Sequence, residues 1–384
     1  MPTFAEFFAG IGLVRMGLER QGWEIAFAND IDPQKYEMYR SQFPDAEKHF
    51  LLGDINKVTA DQVPTITMAT ASFPCTDLSL AGGRAGIHGN HSGTFWSFIR
   101  ILTDMGERRP PFILIENVVG FLSSNGGNDF KVALKALNNL GYSVDSFIID
   151  AVHFVPQSRK RLFIIGIRDY SIPECGKIMI NDIRPKELVK FFLENSDLRW
   201  HIRNLPPLPT NHRPLSILLE DIPHEAPEWW SAERAEYLLN QMSPRHRIIA
   251  NHLIQNNAWS YGTVFRRMRN GRSTAELRVD GIAGCLRTPR GGSAKQILFK
   301  AGFNRYFVRL LTPTECARLM GADNYTIMVS RDQALFGFGD AVCVPVIAWI
   351  AQWYLNPLLK ELLLRPQATH LEETAPEQQY LLFV

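Results

Sequence analysis

The chain has 384 residues, with 41 Lys and Arg against 39 Asp and Glu, a formal net charge of +2, and 46% hydrophobic and 21% charged residues. This is the composition of a globular protein of one large or two medium domains; it excludes whole-chain disorder, collagen-like repeats and a uniformly basic nucleic-acid arm. Five cysteines (Cys75, Cys175, Cys285, Cys316, Cys343) without a Cys-x-x-Cys pair indicate neither a disulfide framework nor a zinc ribbon. His88 and His91 are surrounded by Gly and Asn, with no rigid element to fix a ligand set, so no metal is expected. The first ten residues lack a basic start and include Glu6, unlike a signal peptide. The longest apolar run, 342–355, is broken by Pro345 and Gln352 and falls short of the roughly 20 residues of a membrane span. A cytoplasmic monomer with no membrane contact is expected.

In chain order, 4–8 reads as a strand and 13–21 as a helix, followed by a strand at 24–28 and a helix at 33–42 that Pro33 opens. Buried strands are expected at 66–72 and 112–115, with a helix at 94–105 between them. A helix at 130–140 and strands at 142–149 and 162–167 complete the series. Strands alternating with helices of this length predict an α/β fold, a doubly wound, mostly parallel sheet covered on both faces. Ligands in such sheets bind at the carboxyl ends of the strands. From about 170 the rhythm breaks: 171–305 is rich in Pro, Arg, Asn and Trp, and Pro206-Pro207-Leu208-Pro209 marks an extended linker. Regular structure is expected to return at Thr312-Pro313-Thr314-Glu315, where a cap, a first-turn proline and a Glu three residues on start a helix.

The chemistry-bearing residues fall at the strand ends. Phe8-Ala9-Gly10-Ile11-Gly12 joins the first strand to the first helix, and its glycines let a ligand approach the backbone. Arg15 stands where a dinucleotide fingerprint would place its third glycine and Gly17 is out of register, which points to a nucleoside without a diphosphate. Asp30 and Asp32 end the second strand, where a carboxylate can accept from ribose hydroxyls, and Asp54 follows beside Ile55. Pro74 stiffens the turn before Cys75, a candidate thiolate nucleophile at the cleft. Glu116 ends a wholly apolar strand as a candidate proton donor, and Arg159 and Arg161 alternate onto one face, fit to hold an anion or a carbonyl oxygen.

Taken in this order and spacing, these pieces resemble the cytosine-5 DNA methyltransferases. The resemblance is carried by Phe8-Ala9-Gly10-Ile11-Gly12, Phe73-Pro74-Cys75, Glu116-Asn117-Val118, Gln157-Ser158-Arg159-Lys160-Arg161 and the run from Arg309 to Arg318, and covers about 4–168 and 305–355. It implies a Rossmann-like catalytic and cofactor-binding domain at 1–170, a smaller irregular target-recognition domain at 171–310, helices returning to the catalytic domain at 311–360, and a tail at 361–384. It further implies S-adenosylmethionine as methyl donor, held by Phe8, Gly10, Gly12, Asp30, Asp54, Ile55, Pro74 and Asp340. Cys75 would attack carbon 6 of a flipped cytosine, Glu116 would protonate ring nitrogen 3, and Arg161, supported by Arg159, would hold the ring carbonyl. The glycine-rich stretch 81–93 is placed to close over that base. Two positions depart from the family pattern: Thr76 stands where Gln is usual after Pro-Cys, and Asp340 where Asn usually follows Gly.

Between 241 and 305 lie twelve basic residues and only two acidic ones, Glu276 and Asp280. Arg266, Arg267, Arg269, Arg272, Arg287 and Arg290 are the candidate double-stranded DNA contacts, arginine suiting both guanine edges and phosphates. The near-neutral total therefore joins a segment of +10 to a remainder of −8. Gln379 to Phe383 resembles peptides that dock bacterial sliding clamps. A restriction-modification or related defence role is the expected setting; a tRNA cytosine-5 methyltransferase and a non-catalytic DNA-binding relic of the same fold are the alternatives.

Overall fold

The computed structural model describes residues 1–74, 93–168, 178–269, 271–288 and 295–364. Its first part runs β1 (Thr3–Phe7), α1 (Leu13–Glu19), β2 (Glu24–Asp30), α2 (Pro33–Gln42), β3 (Phe50–Leu52), β4 (Met68–Ala71), α3 (Thr94–Asp104), β5 (Phe112–Val118), α4 (Asn128–Asn139), β6 (Tyr142–Asp150) and β7 (Lys160–Arg168). The seven strands form one sheet in the order β3-β2-β1-β4-β5-β7-β6. The strands β1 to β5 are mutually parallel, and β7 runs antiparallel between β5 and β6. Helices bury both faces, so these strands are apolar in nearly every position rather than in alternate ones. Phe4, Met68, Leu114 and Phe163 face one core with Leu18 and Ile347, while Phe7, Ala69, Ile113 and Ile115 face another with Phe98 and Leu134. Each of the larger of these side chains removed from water contributes roughly 1.5–3 kcal/mol. The doubly wound, mostly parallel sheet is as the sequence predicts.

Local chemistry sets the helix starts. Pro33 opens α2, and the Asp32 carboxylate caps it by accepting from the backbone N–H groups of Gln34 and Lys35. Asp32 is thereby spent on the helix rather than on the cleft. The out-of-register Gly17 has a packing reason: a Cβ there would meet Ile347 at 2.6 Å, so glycine lets α1 lie against the helix that carries Ile347.

The middle of the chain is more regular than its sequence suggests. The helices α5 (Lys186–Glu194), α6 (Leu215–Leu218), α7 (Ala232–Asn240) and α8 (Pro244–Gln255) precede β8 (Ser260–Arg269), β9 (Arg272–Arg278), β10 (Ile297–Gly302) and β11 (Arg305–Leu310). The last four make an antiparallel sheet in the order β11-β10-β8-β9. One of its faces, with Val264, Leu277, Ile297, Phe299 and Val308, packs on Leu238, Leu239 and Ala250 of α7 and α8. The expected irregularity is corrected here: β9 alternates, but β10 is buried at every position and β8 turns from buried to exposed along its length, so no single period marks the segment. The stretch 186–202, past the expected boundary at 170, packs on the first sheet: Leu188, Phe192 and Trp200 join its core, and the His201 N–H donates to the Val144 carbonyl at 2.8 Å.

The chain then returns through α9 (Pro313–Leu319), α10 (Arg331–Asp340), α11 (Val344–Ile350) and α12 (Asn356–Leu363). Thr312 and Glu315 form the expected reciprocal cap of α9. The helical run 331–363 contains a window apolar enough to cross a membrane by length and composition, but 72% of that window is buried, as in a core helix. It wraps α1 and the first sheet.

Candidate active site

The parallel strands β1, β2, β4 and β5 end on the same edge of the sheet, and the antiparallel β7 begins there. Strand order reverses around β1, which has β2 on one side and β4 on the other, so a crevice opens at its carboxyl end. There the backbone takes a left-handed turn, with positive φ at Phe8 (58°), Gly10 (56°) and Gly12 (79°). For Phe8 such a φ is strained, typically by 1–3 kcal/mol, a cost seen mostly at functional sites. The two glycines serve different ends. A Cβ at Gly12 would strike Phe43 at 2.4 Å and Tyr39 at 2.8 Å, whereas at Gly10 it would meet nothing nearer than 3.9 Å among the described residues. Gly12 is thus required by packing, and Gly10 leaves an open cradle.

Asp30 closes one side of that cradle. It is buried and accepts from the Gly10 N–H at 2.8 Å and the Asp32 N–H at 2.9 Å. Burial raises its pKa, and Lys35 opposes that rise. Ile31, beside it, is 65% exposed and gives the rim an apolar surface. Sequence reading did not single it out, although an apolar residue between two strand-end aspartates was the available signal. Asp54 caps the short helix 55–57 through the Asn56 N–H, leaving its outer oxygen at the edge, and Ile55 is buried beneath. Asp340, at the end of α10, reaches the cradle by an ion pair with Lys35 at 2.8 Å. The open backbone at Gly10, the flanking carboxylates and the apolar rim suit a nucleoside.

Two strands from β1, at the end of β5 and the start of its neighbour β7, Glu116 and Arg161 meet. In the β5–β7 register Arg161 lies opposite Val118 and Phe163 opposite Glu116, so Glu116 and Arg161 are diagonal neighbours on one face. The Arg161 Nε and the Glu116 Oε1 are 2.9 Å apart, with both side chains largely buried. Asn117, buried on the other face, donates from Nδ2 to the Phe73 carbonyl at 3.2 Å. That bond ties the end of β5 to the turn that leads through exposed Pro74 to Cys75. Cys75, with Thr76, His88, His91 and most of the glycine-rich stretch, lies outside the described residues, as do Arg290 and Gln379–Phe383.

Arg159 does not stand free beside Arg161. It is 2% exposed, and its Nη1 donates to the Leu286 carbonyl at 2.7 Å while Nη2 donates to those of Gly339 and Ala341 at 3.1 and 2.6 Å. Burial, then the neighbouring Arg161, pull its pKa below the ordinary guanidinium range. Gln157 pins the same segment, accepting from the Leu286 N–H at 3.0 Å and donating to the Leu319 carbonyl at 2.8 Å. Cys285 lies 3.4 Å from Arg159 Nη1; burial would raise its thiol, but Arg159, Arg161 and Arg287 hold it below the usual value. No local pattern marks this cysteine, because Arg159 and Arg161 come to it from more than a hundred positions away.

The candidate DNA arginines cluster on the β8–β9 hairpin and the segment after it. Arg267 and Arg269 pair with Glu276, at 3.3 and 2.5 Å, while Arg272 and Arg287 are exposed. Arg267 and Arg287 both lie over the Phe265 ring, at 5.3 and 5.5 Å. Among the described residues no cluster of His, Cys, Asp and Glu could hold a metal ion.

An open backbone turn at the switch point of an α/β sheet, two strands from a carboxylate–arginine pair, places the protein among Rossmann-like folds with a site at the strand ends. Comparison narrows it: residues 2–355 match the model of the C-5 cytosine-specific DNA methylases, and the chain belongs to that family of methyltransferases acting on DNA. The type II methyltransferase M.DsaV of Dactylococcopsis salina is 30% identical over 92% of this chain and 86% of its own. M.HhaI of Haemophilus parahaemolyticus is 27% identical over 91% of this chain and 92% of its own. The crystal structure of the S. pombe Dnmt2 methyltransferase shares the fold, with a TM-score of 0.62 and 18% identity over 93% of this chain and 99% of that one.

Proposed function

We propose that this DNA (cytosine-5-)-methyltransferase modifies one short sequence of double-stranded DNA, by flipping the target cytosine and attacking it with Cys75. The observation that carries the reading is the diagonal Glu116–Arg161 pair, joined through Asn117 to the turn before Cys75. Cytosine carbon 5 is a poor nucleophile until the ring loses aromaticity, which is what addition of a thiolate to carbon 6 achieves. Glu116 delivers a proton to ring nitrogen 3 as that bond forms, and Arg161 donates to the ring carbonyl and keeps Glu116 in place. Carbon 5 is then able to accept a methyl group. Loss of the carbon 5 proton to a base, expulsion of the Cys75 thiolate and return of the nitrogen 3 proton to Glu116 restore the ring. Flipping costs a few kcal/mol, repaid by contacts in the pocket. Arg159 acts as a positioning residue, holding the backbone at 286 and 339–341 around Arg161.

S-Adenosylmethionine, when bound, supplies an electrophilic methyl group on sulfur. Phe8, Gly10 and Gly12 would present backbone to it, Asp30 would accept from its ribose hydroxyls, and Asp54, Ile55, Pro74 and Asp340 would line the remainder. The type II names of the relatives favour a role beside a restriction nuclease, in the compartment that holds the DNA. A sliding-clamp contact through Gln379–Phe383 is a separate proposal, abandoned if removal of 379–384 leaves clamp capture unchanged.

Base-resolved methylation sequencing of DNA from cells expressing the chain, beside Cys75→Ala, tests the reading. Methylated carbon 5 in one short motif, absent from the variant, is the expected result. Unmodified DNA together with tRNA methylated in vitro would overturn it in favour of an RNA substrate. Sequence-specific duplex binding without modification of either would leave the relic reading.

A further inference from the structure

Helix α10 stands between the nucleoside cradle and the recognition segment, touching both through glycines. A Cβ at Gly337 would meet Met38 Sδ at 2.7 Å and Ile11 Cγ2 at 2.8 Å, on the cradle side. At Gly339 it would meet the backbone of Arg287 and Thr288, each at 2.6 Å. The helix therefore cannot shift without moving one neighbour or the other, since packed interiors transmit displacement rather than absorb it.

Its last residue, Asp340, spans the same gap with its two oxygens. Oδ2 pairs with Lys35 Nζ at 2.8 Å, and Oδ1 accepts from the Thr288 hydroxyl. Lys35, in the first turn of α2, has its Cδ 4.0 Å from where a Cβ on Gly10 would stand. Thr288 follows Arg287 directly, and the carbonyl of Leu286 is clamped by Arg159. A single carboxylate so links the cradle lysine to the segment bearing an exposed candidate DNA arginine. The Asn usual at this place in the family could accept from Thr288, but it could not hold an ammonium by charge.

Resting on the function proposed above, we propose that Lys35, Asp340 and Thr288 form a positioning bridge coupling the cofactor cradle to the recognition segment. A ligand over Gly10 fixes Lys35, and through Asp340 it fixes Thr288 and the arginine before it. Duplex binding does the reverse, because a coupling free energy is shared by both sites.

The test measures the dissociation constant of S-adenosylhomocysteine by calorimetry on the full chain, alone and with a saturating pool of random-core 30-base-pair duplex. The ratio of the two constants is the coupling. In the wild type it is expected to be about fivefold or more, as allosteric couplings usually are. Thr288→Val should bring it to within twofold of unity while leaving both the affinity without DNA and the melting temperature unchanged. Thr288→Ser, which keeps the hydroxyl, should retain the wild-type ratio, and Asp340→Asn should reduce it. A wild-type ratio in Thr288→Val, or its loss in a folded Thr288→Ser, overturns the bridge. A wild type that binds both ligands with a ratio of one overturns the coupling, whereas one that binds neither defeats the functional reading itself.

Discussion

Replacing Glu6 by Gln is expected to flatten the pH dependence of folding stability. Glu6 stands on β1, two residues before the strained turn at Phe8; it is 2% exposed, and its Oε2 has no hydrogen-bond partner among the described residues. Burial pushes its carboxyl from 4.5 up to about 8, against the opposing charge and backbone hydrogen bond of Arg15. An acid with a raised folded pKa is held protonated by the fold. Its contribution is whole below its unfolded value and is lost as pH rises through the folded one. At about 1.4 kcal/mol per unit, that loss totals roughly 4–5 kcal/mol between pH 4.5 and pH 8, with about 3 kcal/mol gone by neutrality. Gln keeps the shape and never ionises. The assay is urea unfolding of both proteins from about pH 5 to pH 8.5, read as the difference in unfolding free energy. Taking the difference cancels Glu19, Asp30 and Asp145, which burial also raises. The variant should gain on the wild type by roughly 4 kcal/mol across that range. Parallel curves would refute the assignment of a buried neutral carboxyl beneath the turn.

Three further outcomes follow from the geometry. Arg309 and Glu315, each 1% exposed and doubly bonded at 2.7 and 2.5 Å, join β11 to α9, so Arg309→Met should destabilise by about 3–5 kcal/mol in thermal or urea unfolding by stranding the carboxylate. Arg159→Lys cannot reach the carbonyls of Leu286, Gly339 and Ala341 together, so methylation should fall by about tenfold or more with little change in far-UV circular dichroism. Duplex affinity should drop about a hundredfold or more between 50 and 200 mM salt, and Arg272→Ala or Arg287→Ala should each lower the slope of log affinity against log salt by about one if that arginine meets a phosphate.

The first sheet was legible because its strands are buried on both faces. Runs such as Phe112-Ile113-Leu114-Ile115 announce themselves, and their ends place Glu116, Asp30 and the Phe8–Gly12 turn on one edge. What stayed hidden is whatever depends on direction or distance. The second sheet was missed because buried polar residues, Thr263 and Lys300 among them, and the adjacent Arg266 and Arg267 of β8 break the apolar pattern of its strands. Asp32 read as a cleft carboxylate, but a proline one residue on makes it a helix cap. Asp340 read as a departure from the family pattern, and its partner Lys35 lies 305 positions away, where no local spacing could reveal it.

The direction of β7 decides the catalytic geometry. Had it run parallel to β5, its start at Lys160 and Arg161 would lie at the far edge of the sheet from Glu116. Running antiparallel, it brings Arg161 into diagonal contact with Glu116 at the edge where β1, β2 and β4 also end. The sheet thus has two reversals with separate consequences: strand order turns at β1, where the nucleoside cradle opens, and strand direction turns at β7, where the acid and the arginine meet. Only β4 and β5 lie between β1 and β7, and the chain leaves β4 through Phe73 and Pro74 toward Cys75. A transfer reaction needs donor and acceptor to meet at one atom, and effective molarity collapses with an ångström of misplacement. Two strand ends two strands apart, with the turn toward the proposed nucleophile Cys75 leaving between them and tied by Asn117, would meet that requirement through backbone topology before any side chain is chosen.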